Sequence, residues 1–434
     1  METCTRLVSA VGLRATCFAV ALSAGGWLAA AGLEQAPIAG RSIQEVGVLP
    51  TNDAEVNRDR LQSAIDWAAR CGAALWVEPV EDPYPVAGGL VLRMNASLVG
   101  VHGPVGRGTR HPDRPQPVGS VFQIEDEDRP FLTVESATQV RGLQFWYPRQ
   151  TRTDPAQIIP YPATIRVSQE RSVQGVTLSC LTFYGEYLAM DFRARRERPC
   201  EQILVEHCYG YPLSGEFFRI DYCYDVPRVL HCHVNPANRR FIDGGYSRAV
   251  IDAVVAAGTF TYAIDHTDNA VLMDLFTFGA YGGVWLGPAT YGQLTSFNLD
   301  CVTVGIHKLG DSTFNRNWQI AQGSIIANTG ARLEDIHPII IEGQGHTAIS
   351  QVEAFSGPNA ALSTLNRSQD FLLIRGDQVL TVSLQGCRMR DYVADNPFSI
   401  ENPRARVRAV GCVDKEQRFY EGEWEGQLRV PTPR

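Results

Sequence analysis

Phe217-Phe-Arg-Ile-Asp-Tyr-Cys-Tyr-Asp225 and Arg228-Val-Leu-His-Cys-His-Val234 are divided by only a Val-Pro pair. Each holds a short strand-like run, Phe217–Ile220 and Arg228–Val234. Similar runs precede them at Val173–Phe183, Leu188–Phe192 and Ile203–Cys208. Others follow at Thr259–Ile264, Ala270–Phe278, Gly283–Leu286, Leu294–Leu299 and Val302–Ile306. Recurrence every ~20 to 30 residues marks a solenoid, in which each coil leans on its neighbours. The runs are near-continuously apolar, as parallel strands over a buried interior require. A β-sandwich would alternate more cleanly and use Asn-Gly hairpin turns, which are missing. The expected fold is all-β: one right-handed parallel β-helix over residues 45–412, after an irregular lead-in at 32–44 and before a tail at 413–434.

Two helical patterns interrupt the strands. Val56, Leu61, Ala64, Ile65, Ala68 and Ala69 form one apolar stripe, with Thr51 or Asn52 as N-cap and Gly72 at the C′ position. This predicts a helix over 52–71 that covers the N-terminal end of the solenoid. Ser247 followed by Arg248-Ala-Val-Ile-Asp-Ala-Val-Val-Ala-Ala257 and Gly258 predicts a capped helix inside an insertion at 235–258.

The composition is that of a globular chain, 44% hydrophobic and 20% charged over 434 residues, so a large core is available. The net charge of -8 and the absence of a Lys/Arg-rich run argue against nucleic acid as a partner. Arg6 and Arg14, the apolar stretch Ala15–Leu28 and the small residues Ala29, Ala30 and Ala31 read as a cleavable secretory signal at 1–31. The expected location is secreted or periplasmic, with no membrane span after cleavage. Nine cysteines lie beyond that segment, without a CxxC, so buried free thiols are expected and no metal site.

The stretch Asp59-Arg-Leu-Gln-Ser-Ala-Ile-Asp-Trp-Ala-Ala-Arg-Cys-Gly72, with Leu75-Trp-Val-Glu-Pro79, Tyr84-Pro-Val86 and Ser97-Leu-Val-Gly100, resembles the opening of the rhamnogalacturonase/epimerase-type pectate-lyase-like family. Pro79-Val-Glu-Asp-Pro-Tyr84 departs from that family's Pro-x-Gly-x-Tyr turn. Gly142-Leu-Gln-Phe-Trp-Tyr-Pro-Arg-Gln150 and Ile220-Asp-Tyr-Cys-Tyr-Asp225 with His233-Val-Asn-Pro236 resemble exported bacterial members of the same superfamily. The resemblance spans residues 45–412 and implies the pectin-lyase-like fold. It leaves the activity open, because the superfamily holds hydrolases, lyases, epimerases, tailspikes and adhesins. Hydrolases of this fold carry Asn-Thr-Asp, Asp-Asp, Gly-His-Gly and Arg-Ile-Lys motifs. Here only Asn298-Leu-Asp300 approaches the first and no Asp-Asp pair occurs, so those roles do not transfer.

Glycoside hydrolysis needs two carboxyl groups about a bond, and adjacent coils about 5 Å apart can supply them. Met190-Asp191, Ile220-Asp221 and Ile264-Asp265 each close a run. With the insertion removed, Asp221 and Asp265 fall on neighbouring coils. They are the expected catalytic pair, with Asp225, Asp268 and Asp300 as further candidates. Tyr222, Tyr224, Trp146, Tyr147, Arg219 and His266 are the expected substrate contacts, since aromatic faces stack on sugar rings. The bland alternative for any single Asp is a turn residue accepting backbone N–H groups. The expected activity is a glycoside hydrolase acting on a polysaccharide or oligosaccharide without a cofactor. The alternatives are a lyase of the same fold, which would need a base, with Arg219, Arg228, Arg248, Lys308 and Arg316 available and none singled out, and could use calcium, and a non-catalytic carbohydrate-binding or adhesin-like solenoid.

Overall fold

The computed structural model describes residues 40–102, 111–310, 317–359, 362–365 and 367–426. The signal expected at 1–31 lies outside them. The described residues belong to one compact unit, Ala39–Arg434. Strands stack in parallel from coil to coil: Leu90–Leu92 on Leu132–Val134, then Ile165–Val167, Met190–Arg193, Phe218–Asp221 and Phe260–Ile264. The chain is therefore a parallel β-helix. Among the described residues no helix is long and apolar enough to cross a membrane.

A single left-handed backbone residue turns each coil from one strand to the next. Gly142, Cys180, His207, His231, Asp274, Ser296, Gln322, Gln351, Gly386 and Gly411 all have φ between 51° and 67°. They form one column, because the residues just before them are register partners from Arg141–Ser179 through to Gln385–Val410. Peptide N–H groups in the column donate to the next coil, His207 to Leu230 O at 3.1 Å and His231 to Met273 O at 2.9 Å. A non-glycine residue pays roughly 1 to 2 kcal/mol for that conformation, which the inter-coil hydrogen bond and stacking offset. His207 and His231 also stack at 4.7 Å, and His231 bonds Asp274 at 2.8 Å. The imidazoles of His231-Cys-His233 are thus turn and stacking groups, with Cys232 buried behind them.

The interior is an aromatic column with one ring per coil. Phe122, Phe145, Phe183, Phe217 and Tyr262 follow one another at 6.3, 5.1, 5.8 and 6.2 Å. Cys200 and Cys223 are direct register partners in the same interior, and eight of the nine described cysteines are buried, all as free thiols.

Helix α1 (Ala54–Cys71) buries Leu61, Ala64, Ile65 and Ala68 and ends on Gly72 at φ 62°. Its N-cap position is Asp53 rather than Thr51 or Asn52, and Val56 is exposed. The Asn52 side chain instead bonds Gly47 O and Asn57, pinning the approach to the helix. The ordered coil begins earlier than the sequence suggests, since Gly40–Ser42 already pairs with Ala74–Trp76. At the other end Phe419–Glu425 returns antiparallel on Ala405–Val413 and covers the last coil edge, so residues 413–426 are not a loose tail. The insertion holds α2 (Arg240–Asp243) and α3 (Arg248–Ala256), whose N-cap Ser247 accepts from Val250 N. Asp243 ends α2, where Arg239 bonds it at 2.7 Å, and takes no place on a coil.

Candidate functional site

Strand register brings two carboxylates together. Phe218–Ile220 pairs with Tyr262–Ile264, and the Asp265 N–H donates to Ile220 O at 3.0 Å. Asp221 and Asp265 therefore follow equivalent strand ends on consecutive coils. The next residues, Tyr222 and His266, are both left-handed, at φ 51° and 36°. That shared turn stacks the Tyr222 ring on the His266 imidazole at 4.2 Å and 11°. The stack holds His266 Nδ1 at 2.7 Å from Asp221 Oδ1 and 3.6 Å from Asp265 Oδ2. Asp191 does not join this set: it pairs with Arg219, and Arg193 takes the position opposite Asp221. Its run ends two residues out of step, a slip that spacing alone does not reveal.

The two carboxyls differ in environment. Asp265 has the less exposed side chain, 19% against 28% for Asp221. Burial is the main cause that pushes its carboxyl above the ordinary range, and the Asp221 charge adds to it. Asp265 Oδ1 also accepts from His266 N at 2.9 Å. On the following coil Gly287 stands opposite, where a Cβ would run into the Asp265 carboxylate. One donor atom each from Asp221, Asp265 and His266 lies within 4.8 Å of the others, so this group could also hold one cation. No metal-ligand spacing marks it in the chain, because its members come from two coils.

The other expected residues divide. Arg219 is two residues before Asp221 on the same strand, and so on the same face, bonded to Glu216 at 2.6 Å. Tyr224 is partly exposed one turn further on, opposite Glu201. Asp225 is an exposed left-handed turn residue bonded to Gln202, and Asp268 accepts from Val226 N at 3.4 Å. Both do the structural work of turn aspartates. Asp300 pairs with Phe278, whereas the position equivalent to Asp265 on its coil is Leu309, so Asp300 is not brought to the pair. Tyr147 is 1% exposed, its hydroxyl bonded to Thr164 at 2.7 Å; it is core and cannot stack a ligand. Trp146 stands opposite Tyr184, near the N-terminal coils.

Sequence reasoning missed Trp285. It is the register partner of Ala263, two residues before Asp265, and of His307 on the next coil. It is partly exposed. Glu342 bonds both His307 and Arg375, extending the polar face over further coils. The only cue in the chain was a Trp within the apolar run Gly283–Leu286, where nothing indicates which way it points.

No family model matches the chain, and no curated protein matches it. Several solved structures are similar. The mannuronan C-5 epimerase A-module of Azotobacter vinelandii is 12% identical over 86% of this chain and 99% of that one, with a TM-score of 0.45. A DFA-IIIase from Arthrobacter chlorophenolicus A6 is 10% identical over 90% and 91%, with a TM-score of 0.45. The enzymatically active domain of bacteriophage CBA120 tailspike protein 2 is 10% identical over 80% of this chain and 48% of that one, with a TM-score of 0.48, so this chain spans about half of it.

Proposed function

We propose that the protein is a glycoside hydrolase that cleaves a polysaccharide at the Asp221–Asp265 pair, outside the cytoplasm. The observation that carries the reading is two carboxyls set side by side by the coil register, one of them raised above its ordinary pKa by burial and the other 2.7 Å from His266 Nδ1. Asp265 is the acid: its proton passes to the glycosidic oxygen as the bond to the anomeric carbon breaks. Asp221, oriented by His266 Nδ1 at 2.7 Å, attacks that carbon from the other side. Water then hydrolyses the glycosyl ester, with Asp265 as base. Equivalent positions on adjacent coils lie about 5 Å apart, which suits the ~5 to 5.5 Å of retaining enzymes better than the ~6.5 to 9.5 Å of inverting ones. Trp285 and Tyr222 supply stacking faces. The extracytoplasmic location rests on the leader-like segment 1–31.

The test is reducing-end release from a panel of plant, algal and bacterial polysaccharides, with the first-formed anomer followed by NMR. Retention is expected; inversion overturns the double displacement. The donor set at Asp221, Asp265 and His266 favours a second reading, a cation-assisted lyase. Absorbance near ~235 nm that chelator abolishes and calcium restores selects it over hydrolysis. Glycan binding with no product would leave the non-catalytic alternative.

A further inference from the structure

Helix α3 of the insertion and the neighbouring coils enclose a cavity apart from the carboxylate pair. Its volume is about 640 Å³, within the ~300 to 1,000 Å³ range of small-molecule sites. Helix α3 forms one wall with Asp252, Val255 and Ala256. Tyr281 and Thr303, register neighbours on adjacent coils, lie across from it, and Asp335 closes a further side. Thr303 is 2% exposed and its hydroxyl has no hydrogen-bond partner among the described residues.

Tyr281 of the cavity lies four residues before Trp285 on one strand, and so on the same face. Tyr281 meets Phe260 edge-on at 5.7 Å, and Phe260 lies 6.0 Å from His307, the register partner of Trp285. From Tyr281 to Gly287, which stands opposite Asp265, is six residues of one chain, at most about 20 Å. That is a span of several sugar units. The lining offers an aromatic ring and three aliphatic side chains together with hydroxyls and carboxylates, the mixture a pyranose presents in complement. Its two described charges, Asp252 and Asp335, are each paired with an arginine, Arg248 at 3.4 Å and Arg332 at 2.7 Å, so the described lining offers no unpaired cation to a uronate carboxylate. Sugar hydroxyls can still donate to both acids.

We propose that this cavity is a distal subsite on the same face and takes an uncharged sugar unit of the chain whose scissile bond sits at Asp221 and Asp265. The proposal rests on the carbohydrate reading given above. Two variants test it. Val255→Trp fills the cavity, and Tyr281→Ala removes its ring, with Tyr281→Phe as the conservative control. Turnover is measured on long chains and on short oligosaccharides of the best substrate. Binding of the same glycans is measured by calorimetry in the Asp265→Asn background. The expected result is a fall of at least about tenfold in kcat/KM and affinity for long neutral chains only, with Tyr281→Phe near wild type. Long-chain affinity and turnover unchanged in both variants overturn the subsite and leave the hydrolase reading intact. Glycans bound but never cleaved, with binding lost in Tyr281→Ala, support the subsite and sink the catalytic reading. A wild-type chain that binds no glycan overturns both.

Discussion

Asp221 and Asp265 occupy the same position on consecutive coils, and one imidazole nitrogen, His266 Nδ1, lies 2.7 Å from the first and 3.6 Å from the second. The parallel register alone creates this. The left-handed turns at Tyr222 and His266 then fix the imidazole by stacking. Two like acids thereby acquire unlike environments, as acid and nucleophile must.

The pH dependence of turnover follows from that asymmetry. Asp265 must carry a proton to act as acid, and burial raises its pKa above the ordinary 3.8. kcat/KM therefore falls on the alkaline side as pH climbs through the raised value. An alkaline limb is expected. A rate that is flat from about pH 4 to about pH 9 contradicts the assignment.

Glu186 governs a different pH effect, on stability. It is fully buried, bonds Tyr211 N at 2.6 Å through Oε1, and is pushed up to about 8 by burial from an ordinary 4.5. Because the folded pKa is raised, the folded chain keeps a proton the unfolded chain has lost between those values. Its contribution is present in full below 4.5 and is lost as pH rises towards about 8. Glu186→Gln keeps the acceptor and removes the titration. The variant should lose about 1.4 kcal/mol per pH unit of stability decline across that window. Denaturant melts at several pH values check it; parallel curves for both proteins would refute it.

Lys308 is 2% exposed, in register with Leu286 and Ile341, and burial lowers its pKa to about 8 from 10.5. The depressed value means the fold disfavours the charged form, so stability rises as pH climbs from about 8 towards 10.5. Lys308→Met should raise stability at neutral pH by about 1 to 3 kcal/mol and leave the hydrolytic rate unchanged. A variant no more stable than the wild type at neutral pH would contradict the burial cost assigned to Lys308.

Much of the fold was legible because coil repetition writes short apolar runs at a steady interval, and the 235–258 insertion announced itself through Ser247 and Gly258. The pairing of Asp221 with Asp265 was legible for the same reason. What escaped was direction and phase. Asp191 ends a similar run, yet its strand is offset by two residues against Phe218–Asp221. Tyr147 and Trp285 both sit in apolar runs, yet one faces the core and the other is partly exposed. A strand buried on one face and half-covered on the other has no clean period to tell them apart. The turn column was hidden because Cys180, Ser296, Gln322 and Gln351 are not residues that advertise a left-handed backbone.

The most direct test of the central claim is the reducing-end rate of Asp265→Asn on the best polysaccharide, with its melting temperature measured alongside. The amide is isosteric but cannot donate the proton. A loss of about 10³-fold or more with an almost unchanged melting temperature is the predicted result. A variant that retains activity per folded molecule within about threefold would contradict it, because removing a true general acid costs far more than that.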